Sequence, residues 1–252
     1  MSRKPDVVDA FDRDAATYGH RYESGDVEAL AFVMRRRRVL QLLERRAPGV
    51  LVDVGCGPGV MVEDLRVRGW RYVGVDAAAG MLRESRRAHG DVALAQAGVE
   101  ALPLAASCAD AVLAMGVVEY LDDPGGAIRE LGRVCRPGGI VIVTMPNRGS
   151  LYRLFTRAVY RPASAVVKRL LRGATEGGLG RREFHASEWR WRLAAAGLTL
   201  TDVVYYGFNV LPPPLDRLLA GPAIRASAIF ERLAYRRAGA LATAFILAAT
   251  KR

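Results

Sequence analysis

Val52-Asp53-Val54-Gly55-Cys56-Gly57-Pro58-Gly59 is the stretch that decides how this chain folds. It closes an apolar, β-branched run at 50–54, and a helix-like segment at 60–68 follows, so the glycines fall on a strand-to-helix turn. Glycine at alternate positions lets the backbone turn sharply and come close to a ligand where a Cβ would collide. Nicotinamide and flavin proteins use a related loop, but their fingerprint G-x-G-x-x-G needs glycine at position 60, where this chain has Val60.

Outward from that turn, apolar runs alternate with helix-like segments through the first 145 residues, the pattern of a parallel sheet covered by helices. Strands are expected at 50–54, 72–75, 92–95, 111–115 and 140–145, with helices at 27–46, 60–68, 79–89 and 125–135. Asp123 is placed to cap the last of these, Pro124 to open its first turn, and Pro137-Gly138-Gly139 to end it. At 147–186 the chain becomes basic and amphipathic: Leu151, Leu154, Phe155, Ala158 and Val159 share one helical face, and Arg153, Arg157 and Arg161 another. A capped helix at 187–196, a strand at 199–206, a second insertion at 209–239 opened by Pro212-Pro213-Pro214, and a final strand at 241–250 complete the chain. With no repeat or low-complexity linker, one domain is expected: an N-terminal lid and helix (1–48), a core (49–146), a basic helical insertion (147–186), and a C-terminal part (187–252) with its own insertion.

Half of the 252 residues are apolar (51%), enough for one large core. Cys56, Cys108 and Cys135 are scattered, giving neither a disulfide framework nor zinc-ligand spacing, and they read as reduced thiols in a cytoplasmic protein. The N-terminal segment lacks a signal peptide's apolar core, and the longest apolar run, 238–250, is too short to span a bilayer. The net charge of +11 is concentrated at Arg35–Arg38 with Arg45 and Arg46, and at 148–182, where nine basic residues face the single acid Glu176. The arginine stretches lack interleaved aromatics, which disfavours a nucleic-acid partner.

With these residues in view, the sequence resembles the class I S-adenosylmethionine-dependent methyltransferases, especially the branch of ubiquinone and menaquinone biosynthesis and natural-product enzymes. Their first motif, an acid followed by G-x-G-x-G, is matched by Asp53, Gly55, Gly57 and Gly59, with Cys56 inside the loop. The resemblance implies a Rossmann-like α/β fold: a mostly parallel seven-stranded sheet with an antiparallel final strand and helical cap insertions. It implies S-adenosylmethionine as cofactor, its methionine part above the loop and Asp53 helping to hold the ammonium. Asp76, ending Val73-Gly74-Val75-Asp76, takes the ribose hydroxyls, and Ala77 and Met81 lie near the adenine. Val99, in Val99-Glu100-Ala101-Leu102-Pro103-Leu104, and Met115, ending Asp110-Ala111-Val112-Leu113-Ala114-Met115, complete the implied cofactor contacts. Gly98 departs from the pattern, standing where an Asp usually meets the adenine amino group. A second departure concerns metal: the Glu-x-x-Glu-His series of the catechol O-methyltransferases of ubiquinone synthesis is here Gly116, Glu119 and Tyr120, so no metal site is expected.

The resemblance also implies that the leader segment Phe11-Asp12-Arg13-Asp14-Ala15-Ala16-Thr17-Tyr18 folds across the cofactor, with Tyr18 as a lid contact. His20 and Tyr22 lie just beyond it. Of the histidines, His185 is the candidate base or acceptor-binding residue, while His89, at a helix end, suits a dipole role. The acceptor is expected to be a small hydrophobic or anionic molecule, O-methylated in secondary metabolism or quinone- or lipid-type biosynthesis; N-methylation of an amino sugar or other amine stays open. Two readings also stay open for 151–172, a lid with a solvated arginine face or a basic helix resting peripherally on an anionic membrane.

Overall fold

The β-branched runs pair into one seven-stranded sheet of order β3-β2-β1-β4-β5-β7-β6. In this computed structural model residues 4–19, 27–160, 162, 180–209, 211, 215–233 and 239–252 are described. The strands are β1 (Val50–Val54), β2 (Arg71–Asp76), β3 (Ala93–Gln96), β4 (Ala109–Met115), β5 (Cys135–Pro146), β6 (Leu198–Tyr206) and β7 (Ala244–Lys251). β1 to β5 pair in parallel, and β7 runs antiparallel between β5 and β6. All expected strands and the antiparallel last strand are therefore present, with the expected Rossmann-like topology.

The helices are α1 (Lys4–Tyr18), α2 (Val27–Leu43), α3 (Val62–Val67), α4 (Ala79–His89), α5 (Pro124–Val134), α6 (Leu151–Phe155), α7 (Trp189–Ala195), α8 (Leu215–Leu218) and α9 (Ala220–Phe230). Strand alternation divides the core into two layers. Val52, Val54, Val141 and Val143 pack beneath Ile128 and Leu131 of α5 and Trp189 of α7. Leu51, Ile140 and Ile142 pack beneath Val39 and Leu43 of α2 and Leu65 of α3. Burying a side chain of this size contributes about 1.5–3 kcal/mol, so the sheet is the rigid platform on which the loops at its carboxyl end are held.

Asp123 caps α5 as expected, accepting a 2.9 Å hydrogen bond from the Gly126 amide. Pro137-Gly138-Gly139 does not end that helix, because α5 runs directly into β5 at Cys135. The three residues form an irregularity within the strand, between Ala109 opposite Cys135 and Ala111 opposite Ile140. The helix expected at 60–68 starts two residues late because the glycine turn extends through Met61. Ser187 does not cap its helix: Ala186–Glu188 form a short 3-10 turn and α7 follows without a side-chain cap.

The basic insertion leaves and re-enters at one point: the Arg148 amide donates to Phe184 O (2.8 Å) and the Phe184 amide to Pro146 O (3.0 Å). Asn147 ties this point to the second insertion through Gly239 O and Ala242 O. Among the described residues no helix is long and apolar enough to cross a membrane.

Candidate cofactor cleft

The glycine loop is shaped by collisions that a side chain would cause. Gly55 has φ +71°, and a Cβ there would lie 2.2 Å from Cγ2 of Val117, so both conformation and space demand glycine. Its amide donates to Val75 O at 2.7 Å, fastening the loop to β2. Gly59, at φ +79°, lets α4 close on the loop: a Cβ would meet Ser85 Oγ at 2.6 Å and His89 Cδ2 at 2.8 Å.

The loop forms the floor of a cleft of about 950 Å³ at the carboxyl end of the sheet, within the range of small-molecule sites. Asp76, half-buried in its wall, accepts hydrogen bonds from the Gly57 amide (2.8 Å) and the Ala78 amide (2.9 Å). Each oxygen is oriented by backbone and keeps a lone pair for a ligand hydroxyl. Burial raises the Asp76 carboxyl above the ordinary carboxylate range, opposed by the same backbone hydrogen bonds.

Of the residues expected at the cofactor, Gly55, Cys56, Gly57, Asp76, Ala77 and Met81 line this cleft. Val99 lines it with Gly98, Met115 at the end of β4, and Tyr18 in the lid. Asp53 and Gly59 do not: Gly59 serves helix packing, and strand alternation turns Asp53 toward Leu51's side of the sheet. There Asp53 is 1% exposed, accepts a 3.1 Å hydrogen bond from the Tyr72 hydroxyl, and leaves Oδ1 without a partner. Desolvation raises its carboxyl to about 7, with Tyr72 opposing, Asp76 adding and Arg35 opposing. The neighbouring Cys56 thiol is pushed up by burial and then by the Asp53 and Asp76 carboxylates, so it is a packing residue rather than a nucleophile.

His185 lies outside the lining of this cleft. Phe184 is the buried anchor, edge-on to Trp189 at 5.3 Å between ring centroids, and His185, next in the chain, is exposed beside Gly149. His89 closes α4 against Glu63 at 3.1 Å. His20 and Tyr22 lie outside the described residues.

Helix α1 covers the cleft. Val8 and Phe11 line it, and the Phe11 ring meets Tyr18 edge-on at 6.0 Å and Tyr120 at 5.4 Å. Asp12 Oδ1 accepts from the Gly80 amide at 2.5 Å, and Ala15 packs on Ala78 and Met81, docking the lid onto α4. Phe11 and Tyr18 stand seven residues apart on one helical face, a signal already present in the leader sequence.

Two site residues escaped sequence reasoning. Arg35 had been counted with its neighbours as a basic cluster, but it stands four residues before Val39 on the buried face of α2 and lines the cleft. Glu119 had been considered only as a remnant of a metal series. It is buried, its Oε2 lacks a partner, and burial raises its carboxyl against Arg181, Arg35 and Arg153. Among the described residues no three His, Cys, Asp or Glu side chains gather as metal ligands.

The remaining basic run is tied into the fold: Arg36 pairs with Asp64, Arg38 donates to Glu231 O (2.6 Å), Arg45 meets Asp202 (3.2 Å) and Arg46 meets Thr250 (2.7 Å). The insertion divides its arginines between the fold and the surface. Arg153 donates to Thr243 O at 2.7 Å and, with the exposed Arg157, lies 3.4 Å from Glu183, so Arg153 is tied into the fold while Arg157 stays at the surface; Arg161 lies outside the described residues. Leu154 and Val159 instead face outward, 49% and 52% exposed, and Leu151 and Phe155 edge a second, apolar hollow of about 620 Å³ with Phe208 and Phe230.

A glycine-floored cleft, a carboxylate ending the second strand and a docked lid helix define a nucleoside-type cofactor site. Residues 52–143 match the family described as a methyltransferase domain. The chain is 34% identical over 140 residues to a malonyl-[acyl-carrier protein] O-methyltransferase of Pseudescherichia vulneris, covering 56% of this chain and 56% of that protein. It is 29% identical over 174 residues to a demethylmenaquinone methyltransferase of Renibacterium salmoninarum, covering 67% and 72%. The fold matches magnesium protoporphyrin IX methyltransferase of Synechocystis PCC 6803 with bound S-adenosylmethionine, with a TM-score of 0.61 at 14% identity over 100% of this chain and 98% of that one. Over its cofactor-binding core the chain is thus similar to S-adenosylmethionine-dependent methyltransferases of class I. It spans just over half the length of its malonyl-[acyl-carrier protein] O-methyltransferase relative.

Proposed function

We propose that this protein transfers the methyl group of S-adenosylmethionine to a small hydrophobic or anionic acceptor, as an O-methyltransferase of secondary metabolism or of quinone- or lipid-type biosynthesis. The observation that carries this is Asp76, held by the Gly57 and Ala78 amides at the cleft wall with its remaining lone pairs available. The cofactor fits the residues present. Asp76 would take the ribose hydroxyls, Ala77, Met81 and Val99 the adenine, and the Gly55–Gly57 backbone the methionine part. The bare Oδ1 of Asp53, beneath that loop, would balance the ammonium, through water because the side chain does not reach the cleft.

When bound, the cofactor supplies an electrophilic methyl on a sulfonium. The chain's task is then alignment and exclusion of water, and alignment alone can contribute about 7–11 kcal/mol. Phe11, Tyr18 and Tyr120 shut the cleft from one side. The acceptor would enter beside Gly116–Leu121, at the carboxyl end of β4, where open α/β sheets receive ligands. The malonyl and demethylmenaquinone acceptors in the relatives' names, one anionic and one apolar, support this range. The outward pair Leu154 and Val159, on a chain of charge +11, would rest on an anionic membrane surface and bring an apolar acceptor within reach.

The test is calorimetric titration with S-adenosylhomocysteine, followed by labelled-methyl transfer to a panel of carboxylic acids, acyl thioesters and quinols. Saturable binding and a methyl ester or ether product are expected; absence of binding at millimolar ligand would overturn the proposal.

A further inference from the structure

The apolar hollow edged by Leu151 and Phe155 shares none of its described lining residues with the cofactor cleft, yet it stands at the same end of the sheet. The cleft gathers the ends of β1, β2 and β4; the hollow gathers the segments that leave β5 and β6 and the one that enters β7, where Pro146 and Tyr206 both pair with Ala244. Its walls are set by hydrogen bonds from three directions. The Glu231 carboxyl accepts from the Gly207 amide (2.8 Å) and the Phe208 amide (3.4 Å), fixing Phe208 against the segment that carries Phe230. The Asn147 side chain, donating to Gly239 O and Ala242 O, holds the turn that presents Leu241. The buried Ser150 accepts from the Arg153 amide and starts α6, whose Leu151 and Phe155 stand four residues apart on one face. A hollow of about 620 Å³ with its walls held in this way has the size and the preformed shape of a small-molecule site.

The lining narrows the class of ligand. Phe208, 1% exposed, closes the floor, and Leu151, 56% exposed, stands at the mouth on the helix that also turns Leu154 outward. Although the chain carries a charge of +11, no charged side chain is among the described lining residues, and an ion there would lose its hydration without a counter-charge. One polar atom interrupts the apolar surface: Asn209 Oδ1 is buried, and no donor among the described residues reaches it. A buried amide oxygen bears its desolvation cost until a donor arrives, and a ligand hydroxyl supplies one.

We propose that this hollow is a second ligand site, for a neutral apolar chain that carries a hydroxyl: the chain packs against Phe155, Phe208 and Phe230, and the hydroxyl donates to Asn209 Oδ1. Two sources have this chemistry, the tail of the methyl acceptor and a separate neutral lipid. The location favours the first, because β5, whose exit forms one wall, pairs with β4, whose end lines the cleft. An acceptor with its reacting group in the cleft and its tail in the hollow would occupy both. The assignment to the acceptor rests on the methyltransferase reading; the binding of the chain does not.

The full chain is titrated with the neutral fluorophore N-phenylnaphthylamine, which is then displaced by decanol and by its isomer nonyl methyl ether, equal in size but without the donor. Saturable binding is expected, with decanol displacing the probe at roughly 5- to 10-fold lower concentration than the ether. Asn209→Leu removes that preference and keeps the probe bound. Leu241→Trp, which fills the mouth, weakens the probe and both competitors by about 10- to 100-fold. Unchanged thermal melts of both variants report an intact fold. With the acceptor's tail as ligand, Leu241→Trp also raises KM for a long-chain acceptor against its short-chain homologue; unchanged KM for both, with the probe lost, overturns the assignment to the acceptor. Equal displacement by alcohol and ether in wild type overturns the role of Asn209. A wild type that binds no probe, or a Leu241→Trp variant that binds it normally, overturns the site itself. Normal probe binding in a protein that fails to bind S-adenosylhomocysteine overturns the cofactor reading and leaves the hollow standing.

Discussion

Replacing Asp53 by Asn removes a carboxyl that the fold holds under the glycine loop with one oxygen bare. Burial lifts this group from its ordinary 3.8 to about 7. In the unliganded protein at pH 6 it therefore carries about 0.9 of a proton, and at pH 8 about 0.1. An ammonium brought above the loop favours the charged carboxylate and returns the group toward its ordinary value. Binding of S-adenosylhomocysteine should then release close to one proton at pH 6 and almost none at pH 8. Calorimetry in buffers of contrasting ionisation enthalpy measures this directly: binding heats should diverge between buffers at pH 6 and converge at pH 8, and Asp53→Asn should abolish the divergence. Equal heats in every buffer at pH 6, or a release that persists in Asp53→Asn, would refute the assignment.

The same carboxyl links stability to pH. Its folded value lies above its unfolded one, so its contribution is fully present below about pH 4 and is lost as pH rises through about 7. Above pH 7 a buried charge costs about 4 kcal/mol relative to the neutral form. Urea unfolding at pH 8 should find Asp53→Asn gaining a large part of that over wild type, with the gain vanishing near pH 4; a gap independent of pH would contradict the burial argument.

Asp76→Ala should weaken S-adenosylhomocysteine by roughly 10- to 100-fold, with Asn intermediate, because the ribose acceptor and the bond to the Gly57 amide go together; unchanged affinity in calorimetry would remove the ribose role. Gly55→Ala should cost about 1–2 kcal/mol for the left-handed backbone alone, and more because Val117 must move. A thermal melt indistinguishable from wild type would show that the loop has room the structure does not give it. Leu154→Glu with Val159→Glu should reduce co-sedimentation with anionic vesicles while cofactor affinity stays the same, and equal sedimentation would leave that face without a membrane role.

What the sequence disclosed follows from how local each constraint is. The strand, the glycine turn and the carboxylate ending β2 announce themselves within residues 50–76, because backbone conformation and close approach dictate residue type directly. Asp53 was visible as a motif acid, yet whether it enters the cleft depends on which sheet face it takes, and Tyr72 claims it. His185 attracted attention as a scarce residue type, but its direction was set by Phe184, which needed the core beside Trp189. At 151–160 the period was legible and the orientation was not. An amphipathic helix normally buries its apolar face, but here the Thr243 carbonyl and Glu183 hold Arg153 inward while Leu154 and Val159 stay exposed. Charge density misled at Arg35–Arg38, where one of four neighbouring arginines points into the cleft and the helical period, rather than composition, distinguishes it.

The cofactor half and the acceptor half of the cleft differ in the same way. The cofactor presents an invariant shape, and the proposed contacts come largely from the backbone of one strand-turn-helix unit and the end of the next strand, so a short motif suffices. The charged end is assembled from α2, the turn after β4, β5 and β6: Arg35, Glu119, Thr144 and Tyr206 are more than 170 residues apart at the extremes. No window of sequence contains them. Their juxtaposition depends on Gly116, whose φ of +74° and vacant side-chain position let α2 deliver a guanidinium over the end of β4. A Cβ at 116 would crowd Arg35 Nη1 at 3.1 Å, so this glycine leaves room for the guanidinium as well as taking the left-handed backbone.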